Sequence, residues 1–253
     1  MPMPEPRPPD PVARAYKSLR QALGWIGMAL PTLLLGLPGL LGLPTADYRS
    51  SISAHYFAPN LGALFAGTLC AIGVFLIYYP GHAPQPQAWM IRPLRNRLGE
   101  WLRRHLTDNR VTSAAGLGAI GTALVPTSLA GRCRDAQPAG EMLCSVSAHG
   151  VFAGLFLGAL AWMALVQFTQ SDQPPEDWSR EKRLSNWTYI VCGSVITACL
   201  LLILAHYAGA DLAFLGQHPV FILEAVAVWA FAFSWLVKGD AVTDAVQRMT
   251  AGV

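Results

Sequence analysis

The sequence predicts an all-α fold: a polytopic membrane protein with six transmembrane helices in one bundle and both termini cytoplasmic. Three observations predict it. Hydrophobic residues make up 53% of the chain and charged residues only 13%, where a soluble domain carries about a quarter charged. The apolar residues gather into six runs, each near the roughly 20 residues that cross a hydrocarbon core. Lysine and arginine concentrate on alternate connections between those runs, the distribution that marks cytoplasmic loops.

The chain opens with a proline-rich leader, residues 1–10 (MPMPEPRPPD), which lacks an apolar surface to bury and is expected to be disordered. Asp10-Pro11 reads as an N-cap with proline at the first helical position. A basic lead-in (Arg14, Lys17, Arg20) enters the first span, about Leu23–Leu43, where Pro31 and Pro38 are expected to kink the helix. No cleavage site with a soluble domain behind it follows, so this run reads as a retained helix rather than a signal peptide.

The remaining spans fall at about Leu61–Tyr79, Ser113–Gly131, Ser147–Phe168, Trp187–Tyr207 and Pro219–Val237. Together they form a transmembrane domain over residues 11–239, followed by a cytoplasmic tail, 240–253. Tyr78, Tyr79, Trp187, Tyr207 and Trp235 sit near run ends, as an aromatic belt would.

Orientation follows from the basic residues. With the N-terminus inside, the inner segments carry Arg7, Arg14, Lys17, Arg20, Arg92, Arg95, Arg97, Arg103, Arg104, Arg110, Arg180, Lys182, Arg183, Lys238 and Arg248. Only Arg49, Arg132 and Arg134 are left outside, a strong positive-inside asymmetry. In the largest inner loop, residues 91–106 place Leu94, Leu98, Trp101, Leu102 and Leu106 at helical spacing with arginines between them. That pattern fits an amphipathic helix on anionic inner-leaflet lipids through its Arg92–Arg104 region. It fits equally a basic connector that only fixes topology.

Gly150, Gly154 and Gly158 repeat every four residues along the fourth span. Such a ridge lets helices approach closely, either within the chain or between two copies in a homo-oligomer. The formal charge of +3 is too small to argue for a nucleic-acid partner. Cys133 and Cys144 flank the second outer loop at a spacing that can close a disulfide. No C-x-x-C pair suggests a zinc knuckle or redox motif.

With this topology the polar residues collect on the outer side. The stretch Tyr48–Asn60 (YRSSISAHYFAPN) carries Arg49, Ser51, Ser53, His55, Tyr56 and Asn60. His149 opens the fourth span, His206 ends the fifth and His218 precedes the sixth. Glu224 lies roughly 7–8 Å below the outer end of the sixth span at 1.5 Å per residue. A charge within a span costs about 2.5–3.5 kcal/mol at mid-helix, so Glu224 should face the bundle and be paired or protonated.

This inventory supports several chemistries. Arg49, Ser53, Tyr56, Asn60, His149, His206 and His218 would line an outer pocket for a lipid or small molecule. Ser51 and His55, four residues apart, share one helical face, and with Glu224 they would supply the nucleophile, base and orienting acid of an intramembrane hydrolase of a lipid or amide. His55, His149, His206 and His218 could hold a divalent metal, because neutral imidazole is the commonest protein metal ligand. The bland alternatives are a loop whose hydroxyls satisfy backbone groups and histidines that sit at an interface. A small-solute or proton-coupled transporter would use Glu224, although one intramembrane carboxylate is few for a proton relay.

Three stretches carry a resemblance: Ser51–Pro80 (SISAHYFAPNLGALFAGTLCAIGVFLIYYP), Asp108–Thr127 (DNRVTSAAGLGAIGTALVPT) and Leu223–Gly239 (LEAVAVWAFAFSWLVKG). They resemble an uncharacterised family of bacterial six-span membrane proteins over most of the chain past residue 45. The resemblance implies six spans in the bacterial cytoplasmic (inner) membrane and brings no activity. Ile52-Ser53 in the first outer loop and Glu224 in the last span are also similar to the autophagy-modulator and GPI-anchor lipid-remodelling membrane family, which implies lipid handling. Ser51-x-x-x-His55 resembles the first element of the alkaline ceramidase and progestin-receptor-like hydrolases. That superfamily has seven spans and a late H-x-x-x-H pair, which this chain lacks, and Asp108 falls on the side opposite His55.

Overall fold

A computed structural model describes residues 11–40, 42, 50–58, 61–79, 101, 105–125, 127, 148–171 and 175–240. Among these the chain is helical, without strands: α1 (Pro11–Leu40), α2 (Leu61–Ile77), α3 (Asp108–Leu124), α4 (Ala148–Trp162), α5 (Arg180–Tyr207) and α6 (Pro219–Lys238). Three short 3-10 turns (Ser53–Phe57, Pro175–Asp177, Ala213–Leu215) lie between them, and α4 runs directly into a π-helical turn, Met163–Gln167. The leader, Arg49, Asn60, Cys133, Cys144, the Arg92–Arg104 region apart from Trp101, and the tail beyond Asp240 lie outside the described residues.

Among the described residues four helices are long and apolar enough to cross a membrane: α1, α4 with its π turn, α5 and α6. α2 is apolar but spans 17 residues, as does α3. α3 is less apolar because it is built from small residues, and Ala115, Ala119 and Ala123 are fully buried against neighbouring backbones. Every helix has its neighbours in sequence beside it, and α6 returns to α1, so the six close into a ring.

The helix ends follow from local chemistry and correct several sequence-derived boundaries. α1 continues unbroken from the basic lead-in through Pro31 and Pro38, a single helix of 30 residues. α3 begins five residues before the expected span, where Thr107 is extended and Asp108 occupies the first turn. It ends at Val125 (φ −95°, ψ 107°) because Pro126 disfavours helical backbone in the residue before it. α5 starts at Arg180 rather than Trp187, since Ser179 Oγ accepts the Lys182 amide at 3.2 Å as an N-cap. Pro219 at the first position of α6 and Gly239 after its last are ordinary start and stop residues.

Glycines permit the closest helix contacts, though not the ones the ridge suggested. A Cβ on Gly116 would stand 2.5 Å from the Gly73 carbonyl oxygen, and one on Gly73 would stand 2.8 Å from that of Gly116. This pins α2 against α3. Gly118 and Gly121 likewise admit Phe152 and Phe156 of α4, and Gly24 admits Leu236 of α6 to α1. By contrast Gly154 has no atom within 4 Å of its Cβ position, and Gly158 only Leu200 Cδ2 at 4.0 Å. Among the described residues Gly154 and Gly158 therefore make no close helix contact.

The aromatic belt also needs one correction. Tyr78 and Tyr207 are exposed at helix ends as expected, and Trp187 is exposed two turns inside α5. Tyr79 and Trp235 are buried and pack edge to face, with ring centroids 5.0 Å apart. They belong to the interior because they lie on the faces that turn into the ring.

Candidate functional site

A small, partly open cavity of about 40 Å³ lies beneath the Ser53–Phe57 turn. Leu30 of α1, Phe65 and Leu69 of α2, Phe156 and Leu157 of α4 and Val228 of α6 supply apolar walls, with Ala153 and Thr122 completing them. Thr122 gives little polarity, since its hydroxyl donates to the Gly118 carbonyl at 2.7 Å. Ile52, Ser53 and Glu224 border the same space.

Glu224 is the polar centre of this site. Its Oε2 accepts the Ile52 amide at 2.6 Å, and the neighbouring Ser53 amide donates to the same carboxylate. These amides belong to the start of the 53–57 turn, where N–H groups have no partner within the helix. Glu224 thus acts as a remote cap, joining α6 to a turn 172 residues earlier in the chain. Charge-assisted bonds of this kind are about twice as strong as neutral ones.

Ser51 and His55 support the same turn. Ser51 Oγ accepts the Ala54 amide at 2.9 Å, and His55 Nδ1 donates to the Ser51 carbonyl oxygen at 3.1 Å. The His55 ring is buried against Phe221 of α6, with centroids 5.5 Å apart. Gly62 at the head of α2 accommodates the Tyr56 carbonyl, where a Cβ would collide. The expected trio of Ser51, His55 and Glu224 therefore does gather on one turn. It does so through backbone amides and carbonyls, which spacing alone could not reveal. Ser53 is buried beside Glu224, and Tyr56 packs on the rim with its ring 5.2 Å from Phe57.

The other histidines serve the chain locally. His149 is buried at the head of α4, and its Nδ1 lies 2.6 Å from the Val125 carbonyl oxygen at the end of α3. This contact closes the connection between the two helices. His206 Nδ1 lies 3.3 Å from the Ala210 carbonyl oxygen in the turn after α5, and His218 precedes Pro219 at the start of α6. Among the described residues no three His, Cys, Asp or Glu side chains form a metal-binding group. The expected four-histidine metal set is not assembled, because His149 and His206 are each tied to a different interhelical turn.

A second polar cluster, at the opposite end of the bundle, escaped the sequence reading. Arg20 Nε donates to the Tyr79 hydroxyl at 3.1 Å, and Gln21 Nε2 to the Gly239 carbonyl at 2.9 Å. Lys182 Nζ donates to the Gln170 carbonyl at 3.0 Å. Lys238 places its ammonium over the rings of Phe168 and Tyr189, 5.7 and 5.9 Å from their centroids. Every described lysine and arginine is at this end. The available signals were Gln167, near the end of the fourth apolar run, and Asn186, immediately before the fifth.

Comparison with known protein families, curated proteins and solved structures finds no match to this chain.

Proposed function

We propose that this is a six-span membrane protein, cytoplasmic at both termini, that binds the apolar part of a lipid or small molecule in the cavity beneath the 53–57 turn. One observation carries the reading: the cavity of about 40 Å³ has apolar walls and one carboxylate at its border. Ligand sites commonly have this composition, an apolar lining with a few placed polar groups. The gathering of the described basic residues at the far end supports an outward-facing turn by the positive-inside rule. α2 and α3, at 17 residues each, sit at the lower limit for crossing a bilayer.

Binding is favoured over hydrolysis by the engagement of the polar atoms. The Ser51 hydroxyl accepts a backbone amide and His55 Nδ1 meets a backbone carbonyl, so both side chains are used in holding the turn. The test is ligand retention. Protein purified from membranes in a neutral detergent should keep a lipid-sized adduct in native mass spectrometry. Ala153→Phe, which fills the cavity from its wall, should remove the adduct while the helix content is unchanged. Equal occupancy in wild type and A153F would rule the cavity out as the binding site.

A further inference from the structure

The basic end of the bundle contains several hydrogen-bond donors without a partner among the described residues. Gln167 and Asn186 are 4% and 3% exposed, yet Gln167 Nε2 and both amide atoms of Asn186 have no partner among the described residues. The Trp235 indole N–H is likewise buried and unpartnered. Native interiors pair nearly all such groups, so each exception calls for a cause such as a bound ligand or ion.

The residues that carry these atoms are linked through Phe168 and one face of α5. Lys182, Asn186 and Tyr189 recur at i, i+4 and i+7 and so share one face of α5. That face meets the segment after the π turn at both ends: Lys182 reaches the Gln170 carbonyl, and Tyr189 packs on Phe168, ring centroids 5.4 Å apart. Asn186 sits between them, and Gln167 is the residue before Phe168. Trp235 also packs on Phe168, at 5.3 Å, and Lys238 follows it one turn later on α6. The π turn itself shifts the register of α4 as it enters this region, and such bulges occur frequently at functional sites.

The chemistry of the cluster is one-sided. The unpartnered atoms are three N–H donors and a single acceptor, Asn186 Oδ1. Among the described residues the Lys238 ammonium has ring faces beside it and no carboxylate within ion-pair distance. Its charged neighbours are Lys182, Arg20, Asp108 and Asp240, and Asp240 is shared with Lys17 at 3.9 Å. Among the described residues positive charge is therefore in excess. Water brings two hydrogens for every two lone pairs and would leave donors facing donors, whereas an anion accepts from all of them.

We propose that Lys238, Asn186, Gln167 and the Trp235 indole form a binding site for one phosphate-type anion at the basic end of the bundle. The group comes either as free phosphate or as the headgroup of an anionic phospholipid. Lys238 supplies the charge, and the two amides and the indole supply directed donors. Lys182, held by the Gln170 carbonyl, adds to the field without needing to touch the ligand. This site is separate from the cavity under the 53–57 turn.

The test uses the full chain, stripped of lipid in a neutral detergent, with thermal unfolding followed by tryptophan fluorescence. Three additions are titrated at equal ionic strength: inorganic phosphate, phosphatidylglycerol, and phosphatidylcholine, with sodium chloride as the control. Saturable stabilisation by phosphate and phosphatidylglycerol, but not by phosphatidylcholine or chloride, is the expected result for a site that accepts the free anion. Stabilisation by phosphatidylglycerol alone assigns the site to a lipid headgroup. Lys238→Gln and Asn186→Leu should each raise the half-saturating concentration at least about tenfold, as loss of a charge-assisted or buried hydrogen bond does. Asn186→Leu keeps the test decisive if K238Q fails to fold, because leucine replaces the unsatisfied amide with an apolar group of similar size. No stabilisation by either anion, or curves unchanged in the variants, overturns the proposal.

Discussion

Replacing Glu224 by leucine should release the 53–57 turn while leaving the helices in place. The carboxylate accepts the Ile52 amide at 2.6 Å and also takes the Ser53 amide. Leucine removes both acceptors, and the turn is packed between α2 and α6 with Ile52, Ser53, Ala54 and His55 all buried, so water cannot easily replace them. An unsatisfied buried donor costs about 1–3 kcal/mol, which for two amides gives about 2–4 kcal/mol after partial relaxation. Glutamine keeps one carbonyl acceptor and loses only the charge, at about 1 kcal/mol. Hydrogen exchange is the direct assay, since the two amides report their own bonds. With tenfold in rate per 1.4 kcal/mol, E224L should speed exchange at Ile52 and Ser53 by about 30- to 1,000-fold, and E224Q by about fivefold. Amides in the middle of α5, such as that of Ile196, should not change. Unaltered protection at Ile52 and Ser53 in E224L would refute the capping role and with it the account of why a carboxylate is tolerated within α6.

Two further outcomes follow from the packing. Gly116→Ala should destabilise the bundle by about 1–3 kcal/mol, because a Cβ there meets the Gly73 carbonyl at 2.5 Å, while Gly154→Ala, with open space around it, should be neutral or slightly stabilising; denaturant unfolding in detergent compares them. His149→Ala removes the 2.6 Å bond to the Val125 carbonyl and should cost about 1–2 kcal/mol, with faster proteolysis in the connection between α3 and α4; an unchanged cleavage rate would show that this contact does not hold the connection.

Much of the helical architecture could be read from the sequence, since six apolar runs separated by polar connections leave few alternatives. Helix ends were less legible because capping and proline effects act locally: Ser179 starts α5 seven residues before its apolar run, and Pro126 stops α3 seven residues before the run ends. The importance of Tyr48–Asn60 and of Glu224 was visible as polarity in apolar surroundings. Their relation was not, because Glu224 binds backbone amides, and every residue has a backbone. The cluster at the basic end went unseen for a different reason. Lys182 and Lys238 were read as topology signals and Tyr79 and Trp235 as belt residues, and only the ring closure between α1 and α6 brings them face to face.

That closure gives α6 its double role. Glu224, Val228, Phe231, Trp235 and Lys238 follow one another at spacings of four, three, four and three residues, a single stripe along the helix. The stripe turns into the ring: Glu224 and Val228 border the cavity, Phe231 packs on Trp235 at 5.8 Å, and Lys238 meets Phe168 and Tyr189. At 1.5 Å per residue its two ionisable ends stand about 21 Å apart. The helix dipole favours the ammonium at the C-terminus, while Glu224, beyond the first turn, is held by the Ile52 and Ser53 amides. Between them Phe231 and Trp235 are buried, and Leu76, Leu160, Met163 and Ile196 are fully enclosed, so the interior separating the two sites is apolar. A charge on the lipid-facing side of α6, at Phe233 for instance, would have neither partners nor dipole to offset its desolvation. Polarity is tolerated on this helix where the ring supplies partners, and that is why its two charged residues mark two distinct places where a ligand could be met.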